Sequence, residues 1–246
     1  MVMAQSLFRL LKAREPERPL DVVAPEWSLP IVARMPEIRG GIASETAHGE
    51  IGIATRRRIA AKLRGNYDRA IVLPRSFKAA LIPWMARVPT RTGYRGETRF
   101  VLINDVRPFD RDVLDQTVKR FVALGLASGE ALPVTLPDPK LTVSADNQGR
   151  AIAALGLDAS RPVVAMMPGA EYGPAKCWPL DYFAALSARL DEAGYGVWVL
   201  GSNKDAPAGE RIAAGSRAVN LCGRTSLEDV IDLLAACEQA VSNDSG

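Results

Sequence analysis

The sequence predicts an α/β protein built of two doubly wound units with parallel sheets, residues 1–140 and 141–246. Three observations carry this. Short apolar segments that end in proline or glycine alternate with segments of helical period, the rhythm of strands joined by helical crossovers. The proline-rich passage LPVTLPDPKLTV (132–143) has no helical period and separates two stretches of different pattern, which marks it as a linker. With 246 residues, 48% of them hydrophobic and 24% charged, the chain has material for two ordinary cores.

In order along the chain, MVMAQSLFRLLKAREPE places Met3, Leu7, Leu10 and Leu11 on one helical face. LDVVAP (20–25) and DRAIVLP (68–74) read as short strands stopped by proline, with an arginine-rich helix TRRRIAAKLRG (55–65) between them. Beyond the linker the alternation becomes regular. RPVVAMMPGA (161–170) is a buried strand running into a turn, and PLDYFAALSARLDEAG (179–194) is a helix with Pro179 at its first turn and Gly194 at its end. GYGVWVLGS (194–202) is a strand, KDAPAGERIAAG (204–215) a weaker helix and AVNLCG (218–223) a third strand. SLEDVIDLLAAC (226–237) is a helix opened by Ser226 and Asp229 in capping-box spacing, and EQAVSND leads out as a fourth strand.

Composition narrows the function. A formal charge of +3 is too mild to argue for nucleic acid, so an anionic partner has to be argued from local clusters. Cys177, Cys222, Cys237 and the lone His48 lack zinc-site spacing, and reduced thiols in a cytosolic protein are expected. No apolar run approaches the roughly 18 residues a bilayer span requires.

Ligands of doubly wound sheets sit beyond the carboxyl ends of the strands. Four such ends matter: PGAEYGPAKCWP, LGSNKD, LCGRTS and VSNDSG. The first combines a glycine turn at Gly169 and Ala170, the acid Glu171 and Lys176 just before a helix, a layout that suits a phosphate held by a cation and backbone N–H groups. It is not the Walker pattern, which disfavours a P-loop nucleotidase. In the last, Asp244 would meet a sugar hydroxyl while Ser245 and Gly246 offered N–H groups to a diphosphate. Gly201, Ser202, Asp205, Thr225 and Ser226 would border the same crevice. Each has an ordinary account too: turn chemistry for the glycines, capping for Asp205 and Thr225, solvation for Lys176, packing for Tyr172 and Trp178.

In the first half, Arg75, Lys78, Arg87, Arg91, Arg95 and Arg99 thread through RSFKAALIPWMARVPTRTGYRGETR. Guanidinium forks grip phosphate bidentately, so this cluster suits a phosphorylated, partly apolar acceptor. Arg75 and Lys78 follow a strand end and are the favoured ligands. Arg56, Arg57 and Arg58 read as a solvated helix face, and His48 as an exposed loop residue.

Together PGAEYGPAKCWP, GRTSLEDVIDLLAAC and VSNDSG, with QSLFRLLK, YDRAIVLPRSFKAALIP, RTGYRGETR and LINDVRP, resemble the lipopolysaccharide heptosyltransferase II family over nearly the whole chain. The resemblance implies a glycosyltransferase family 9 enzyme of GT-B fold, with two Rossmann-like domains. Residues 1–140 would bind the acceptor and 141–246 the nucleotide sugar. Such an enzyme inverts the anomeric centre, needs no metal or cofactor, and moves heptose from ADP-heptose to the first heptose of the lipid A–inner-core acceptor. By likeness, Lys176 inherits the phosphate contact and Asp244, Ser245 and Gly246 the donor clamp. Asp205 and Thr225 fall near the ribose and adenine, and Arg75, Ser76 and Lys78 on the acceptor turn, with Arg91 and Arg95 nearby.

The resemblance further implies a strand and glycine turn ahead of Met1, ending in the general-base aspartate, and a helix after Gly246, so that residues 1–246 alone are expected to turn over little. A monomer on the cytoplasmic side, with peripheral contact to the inner membrane and no nucleic acid, is expected. The rival readings are another sugar-nucleotide enzyme, such as a different heptosyltransferase or an epimerase, and a non-catalytic nucleotide-sugar-binding module.

Overall fold

The structure is a computed structural model that describes residues 1–44, 51–170 and 174–243. His48 lies outside the described residues. The chain divides into two compact units, Met1–Thr142 and Val143–Gly246.

In the first unit the elements run α1 (Gln5–Arg14), β1 (Asp21–Ala24), α2 (Leu29–Ala33), β2 (Gly40–Ala43), α3 (Ile53–Leu63), β3 (Arg69–Val72), α4 (Phe77–Met85), β4 (Thr90–Tyr94), β5 (Asp105–Arg107) and α5 (Thr117–Gly125). All strand pairings are parallel, in two sheets, β1–β2 and β3–β4–β5. Instead of one continuous sheet, β1 and β3 are joined through side chains. Leu7, Phe8 and Leu11 of α1 pack against Val22 of β1 and Ile71 of β3, and the Tyr67 hydroxyl donates to Asp21. The helix that opens the chain thus roofs both sheets, as its apolar face requires.

The predicted linker is docked on this unit. Leu132, Leu136 and Leu141 join its apolar clusters, and the buried Gln5 side chain accepts from Lys140 N at 2.8 Å and donates to Lys140 O at 2.8 Å. Arg56, expected to be solvated, is buried on α3, and its Nε donates to Ile51 O at 2.6 Å. That bond gives the guanidinium a partner away from water, and burial lowers its pKa.

The second unit runs α6 (Ala145–Leu155), β6 (Val163–Met167), α7 (Leu180–Glu192), β7 (Gly196–Val199), α8 (Ala206–Ala213), β8 (Val219–Asn220), α9 (Leu227–Ala235) and β9 (Gln239–Ser242). Its parallel sheet has the order β8–β7–β6–β9. Alternation along the strands fills both faces: Val163, Ala165, Trp198 and Leu200 meet α6 and α9, while Met166, Val197 and Val199 meet α7 and α8. No helix among the described residues is long and apolar enough to cross a membrane.

Candidate functional site

In the second unit the strand order reverses at β6, whose neighbours β7 and β9 lie on opposite sides. A crevice opens at such a switch point, beyond the carboxyl ends. Asn243, which follows β9, is buried there. Its Nδ2 donates to Pro168 O at 2.6 Å, and its Oδ1 accepts from Trp178 N at 2.8 Å. One side chain therefore ties the end of β9 to the turn after β6 and to the segment that carries Lys176. Lys176 closes a short 3₁₀ turn, Pro174–Lys176, and is exposed. It sits two residues from one end of this tie, and Asp244 follows the other end in sequence.

Asp205 organises the neighbouring loop. Its Oδ2 accepts from Ser202 N and Ser202 Oγ, each at 2.8 Å, in a capping box ahead of α8. The carboxylate is so close to the β6 and β7 turns that a Cβ on Gly169 would stand 2.8 Å from Oδ1, and one on Gly201 2.9 Å from the Asp205 Cβ. Only glycine lets both turns close around it. Burial first, then the charge of Asp205, pushes the Cys222 thiol up to about 11. Ser226 is committed to capping α9, with Ser226 N donating to Asp229 at 2.9 Å and Ser226 Oγ accepting from Asp229 N at 3.1 Å. The Thr225 hydroxyl beside it is buried and has no partner among the described residues. An unmet hydroxyl of this kind costs about 1–3 kcal/mol, which a ligand would recover.

In the first unit the carboxyl ends of β3, β4 and β5 carry arginines. Arg99 is 3% exposed, and its guanidinium donates to Pro74 O at 2.7 Å, Ser76 O at 3.3 Å and Tyr94 O at 2.6 Å. Glu97 closes the clasp: its N donates to Arg75 O at 3.2 Å, and its carboxylate accepts from Phe77 N at 2.7 Å. Gly96 makes the approach possible, since a Cβ there would lie 2.1 Å from Arg75 O. Burial lowers the pKa of Arg99, and the charge of Arg75 lowers it further against the pull of Glu97. In front of the clasp lies a cavity of about 690 Å³ bordered by Arg75, Arg95, Arg107, Phe109 and Arg111.

The structure thus gathers Gly169, Ala170, Gly201, Ser202, Asp205, Thr225 and Ser226 at the carboxyl ends of the second sheet, with Lys176 on the segment that Asn243 ties there. Glu171, Tyr172, Asp244, Ser245 and Gly246 lie outside the described residues. Arg75, Ser76 and Arg95 meet at the clasp, and Lys78 is in the first turn of α4. Arg91 is set apart. It begins β4, at the opposite end of that strand, and its guanidinium donates to Leu102 O at 2.7 Å and Val88 O at 2.6 Å. Trp178 packs against the helix that follows it, its ring centroid 4.9 Å from that of Phe183 on α7. Asn243, Phe109 and Arg111 were not singled out as ligands or supports of a site by sequence pattern, and Arg99, grouped with the acceptor arginines, is instead a buried support of their turns. The polar, strand-ending SND was the one signal for Asn243. Among the described residues, no three His, Cys, Asp or Glu side chains converge as a metal site.

Two parallel α/β units, one with a polar, glycine-lined rim at its switch point, define a doubly wound protein of the nucleotide-binding kind. Comparison with known proteins makes the class specific. The model of glycosyltransferase family 9 (heptosyltransferase) matches residues 56–246. The chain is 44% identical over 258 residues to lipopolysaccharide heptosyltransferase 2 of Salmonella typhimurium, covering all of this chain and 74% of that one. It is 40% identical over 261 residues to lipooligosaccharide heptosyltransferase 2 of Haemophilus influenzae, covering 100% of this chain and 75% of that one. It superposes on the structure of E. coli ADP-heptose lps heptosyltransferase II with a TM-score of 0.89 at 41% identity, covering 100% and 76% of the two chains. E. coli heptosyltransferase WaaC with ADP shares the fold, with a TM-score of 0.76 at 19% identity over 99% and 77%. The chain belongs to glycosyltransferase family 9, the heptosyltransferases.

Proposed function

We propose that this protein transfers heptose from ADP-heptose to a heptose of the lipid-linked inner core of lipopolysaccharide. The observation that carries this reading is identity of 40–44% along the whole chain to heptosyltransferases 2, combined with a crevice rim of the required polarity. In the transfer, the acceptor hydroxyl attacks the anomeric carbon with inversion, the bond to the β-phosphate breaks, and ADP leaves with the electron pair. The hydroxyl proton passes to a general base. Charge accumulates on the departing diphosphate, so the protein's contribution is fixed cations and dipoles aimed at it.

Lys176 is the cation in this reading, with no metal required, and Asp244, Ser245 and Gly246 complete the clamp. Glu171 and Tyr172 border the donor. Thr225 supplies its unmet hydroxyl to the nucleoside, and Asp205, bonded to Ser202, shapes the wall beside Gly169 and Gly201. Arg75, Ser76, Lys78 and Arg95 face the acceptor, which the first unit takes up. The enzyme acts as a monomer at the cytoplasmic side of the membrane that holds its acceptor.

Calorimetric titration of the chain with ADP-heptose, ADP and a UDP-sugar tests the donor assignment. Binding of the two adenine ligands and rejection of the UDP-sugar is expected, whereas equal or preferential binding of the UDP-sugar would overturn the assignment.

A further inference from the structure

Positive charge is concentrated in one stretch of the first unit. Residues 51–96 hold eleven Lys and Arg and a single carboxylate, Asp68, which is already paired with Arg18, while the rest of the chain carries twenty Lys and Arg against twenty-seven Asp and Glu. Apart from those of the acceptor turn, the exposed cations gather where α3 and α4 pack side by side. Ile53, Arg57 and Arg64, along and just past α3, and Trp84, Met85 and Arg87, at the end of α4, border a groove of about 490 Å³. Arg64 Nη2 donates to Met85 O at 2.9 Å and so pins the two helix ends together. No carboxylate among the described residues is matched to Arg57, Lys62 or Arg87, although other surface arginines of the unit, such as Arg14, Arg18 and Arg39, each have one.

Large apolar side chains stand among these cations in water. Ile53 is 58% exposed and Trp84 41% exposed, and Phe77, exposed too, shares a face of α4 with Trp84 because seven residues make two turns. The end of α4 adds a second signal. Arg87 N donates to Trp84 O and Val88 N to Pro83 O, each at 3.0 Å, a helix-ending turn whose left-handed position glycine fills most easily. Arg87 occupies that position at φ 58°, and among the described residues no other non-glycine has a positive φ. Glycine would serve the turn better, so an exposed guanidinium held there beside Trp84 points to a use outside the fold.

We propose that the α3–α4 face docks the protein on an anionic phospholipid membrane. Trp84 and Ile53 enter the boundary between headgroups and acyl chains, where indole rings are favoured, and Arg57, Lys62 and Arg87 lay their apolar stems beside them and meet the lipid phosphates. A nucleic acid would neutralise the cations but leave Ile53 in water. The net acidic remainder of the chain is repelled by the same lipid surface, so the attraction selects this face. The inference rests on the reading of the acceptor as lipid-linked. It adds the face by which the enzyme meets the membrane, separate from the residues that would hold the sugar.

The test is co-sedimentation of the full chain with vesicles of equal parts phosphatidylglycerol and phosphatidylcholine, and with vesicles of phosphatidylcholine alone. The chain binds the first, more weakly as salt rises, and does not bind the second. Arg57→Gln and Arg87→Gly each weaken binding about fivefold, the effect of about 1 kcal/mol per basic residue at a charged leaflet, while Arg150→Gln on α6 changes nothing. Arg87→Gly melts no lower than wild type, because glycine relieves the turn, so its lost binding is not lost folding. Vesicles shift the tryptophan emission of wild type to the blue, and Trp84→Phe abolishes the shift. Equal binding to both vesicles, binding to neither, retention on an RNA in their place, or binding unaltered in both arginine variants overturns the proposal. The vesicles contain no acceptor, so these outcomes strike the docking face alone. A failure of heptose transfer would instead strike the proposed function and leave the vesicle result standing.

Discussion

The two units solve the same architectural problem with opposite chemistry. Both stack parallel strands whose carboxyl ends face solvent, and both bring loops from several strands together there. In the second unit the rim is built by clearance and backbone: Gly169 and Gly201 close around Asp205, and Asn243 satisfies a carbonyl on one side and an N–H on the other. In the first unit the rim is built by guanidinium groups, one buried as a clasp and three in front of it that no carboxylate among the described residues matches. A rim of N–H groups, hydroxyls and one lysine suits a ligand whose phosphates and ribose have fixed spacing. Stacked arginines suit an anionic group that arrives on a larger partner.

The sharpest way to break this contrast is at Asn243. Replacing it with alanine removes two hydrogen bonds, one of them buried, and strands Pro168 O and Trp178 N, so Asn243→Ala should destabilise the second unit by about 2–3 kcal/mol. ADP affinity should fall at least tenfold, as read by urea unfolding and calorimetry on the same sample. Next comes Gly96→Ala. A Cβ 2.1 Å from Arg75 O must push the turn away, at a cost of about 1–3 kcal/mol. The variant should unfold at lower urea and keep ADP binding, because the damage is confined to the first rim.

A smaller effect belongs to Asp21. Its hydrogen bond with Arg39 holds the carboxyl below the ordinary carboxylate range, and Tyr67 adds to this. A depressed folded pKa stabilises the folded state fully above the unfolded value near about 4 and loses that contribution as pH falls through the folded value. The difference in urea midpoint between wild type and Asp21→Asn should therefore be present at pH 7 and shrink as pH drops below about 4. A difference that grows toward acid would contradict the assignment. Least perturbing of all is thiol labelling. Cys222 and Cys237 are pushed up to about 11 by burial, and Cys177 is exposed beside Lys176. At pH 8 the native protein should react fast at Cys177 alone, and saturating ADP should slow that reaction.

The contrast also explains what was legible in the sequence. The second unit announces itself because Val163–Met167 and Gly196–Val199 are continuous apolar runs and Ser226 and Asp229 have capping-box spacing. The first unit shows α1, β1, α3 and β3 in its pattern and hides the elements that follow. Pro83 lies inside α4, β4 reads TRTGY, and Thr92, Arg99 and Arg107 are polar side chains in the interior, held by partners that sequence spacing does not reveal. Arg75 and Lys78 could be singled out because they follow a strand end, and the other arginines were grouped with them by proximity in sequence. Arg91 could not be separated from them without knowing that β4 starts, rather than ends, beside it. Arg111 and Phe109 were invisible as partners of Arg75 because a three-residue strand, β5, folds their loop back against a turn more than thirty positions earlier.

The claim on which the rest depends is that the nucleotide diphosphate lies at the switch point of the second sheet, against Lys176. ADP binding to wild type, Lys176→Ala and Arg75→Gln, measured side by side by calorimetry, tests it most directly. Removing one charge-assisted phosphate contact should cost at least about 1.4 kcal/mol, a tenfold loss of affinity in Lys176→Ala with none in Arg75→Gln. Unchanged affinity in Lys176→Ala with a loss in Arg75→Gln would place the nucleotide in the other unit.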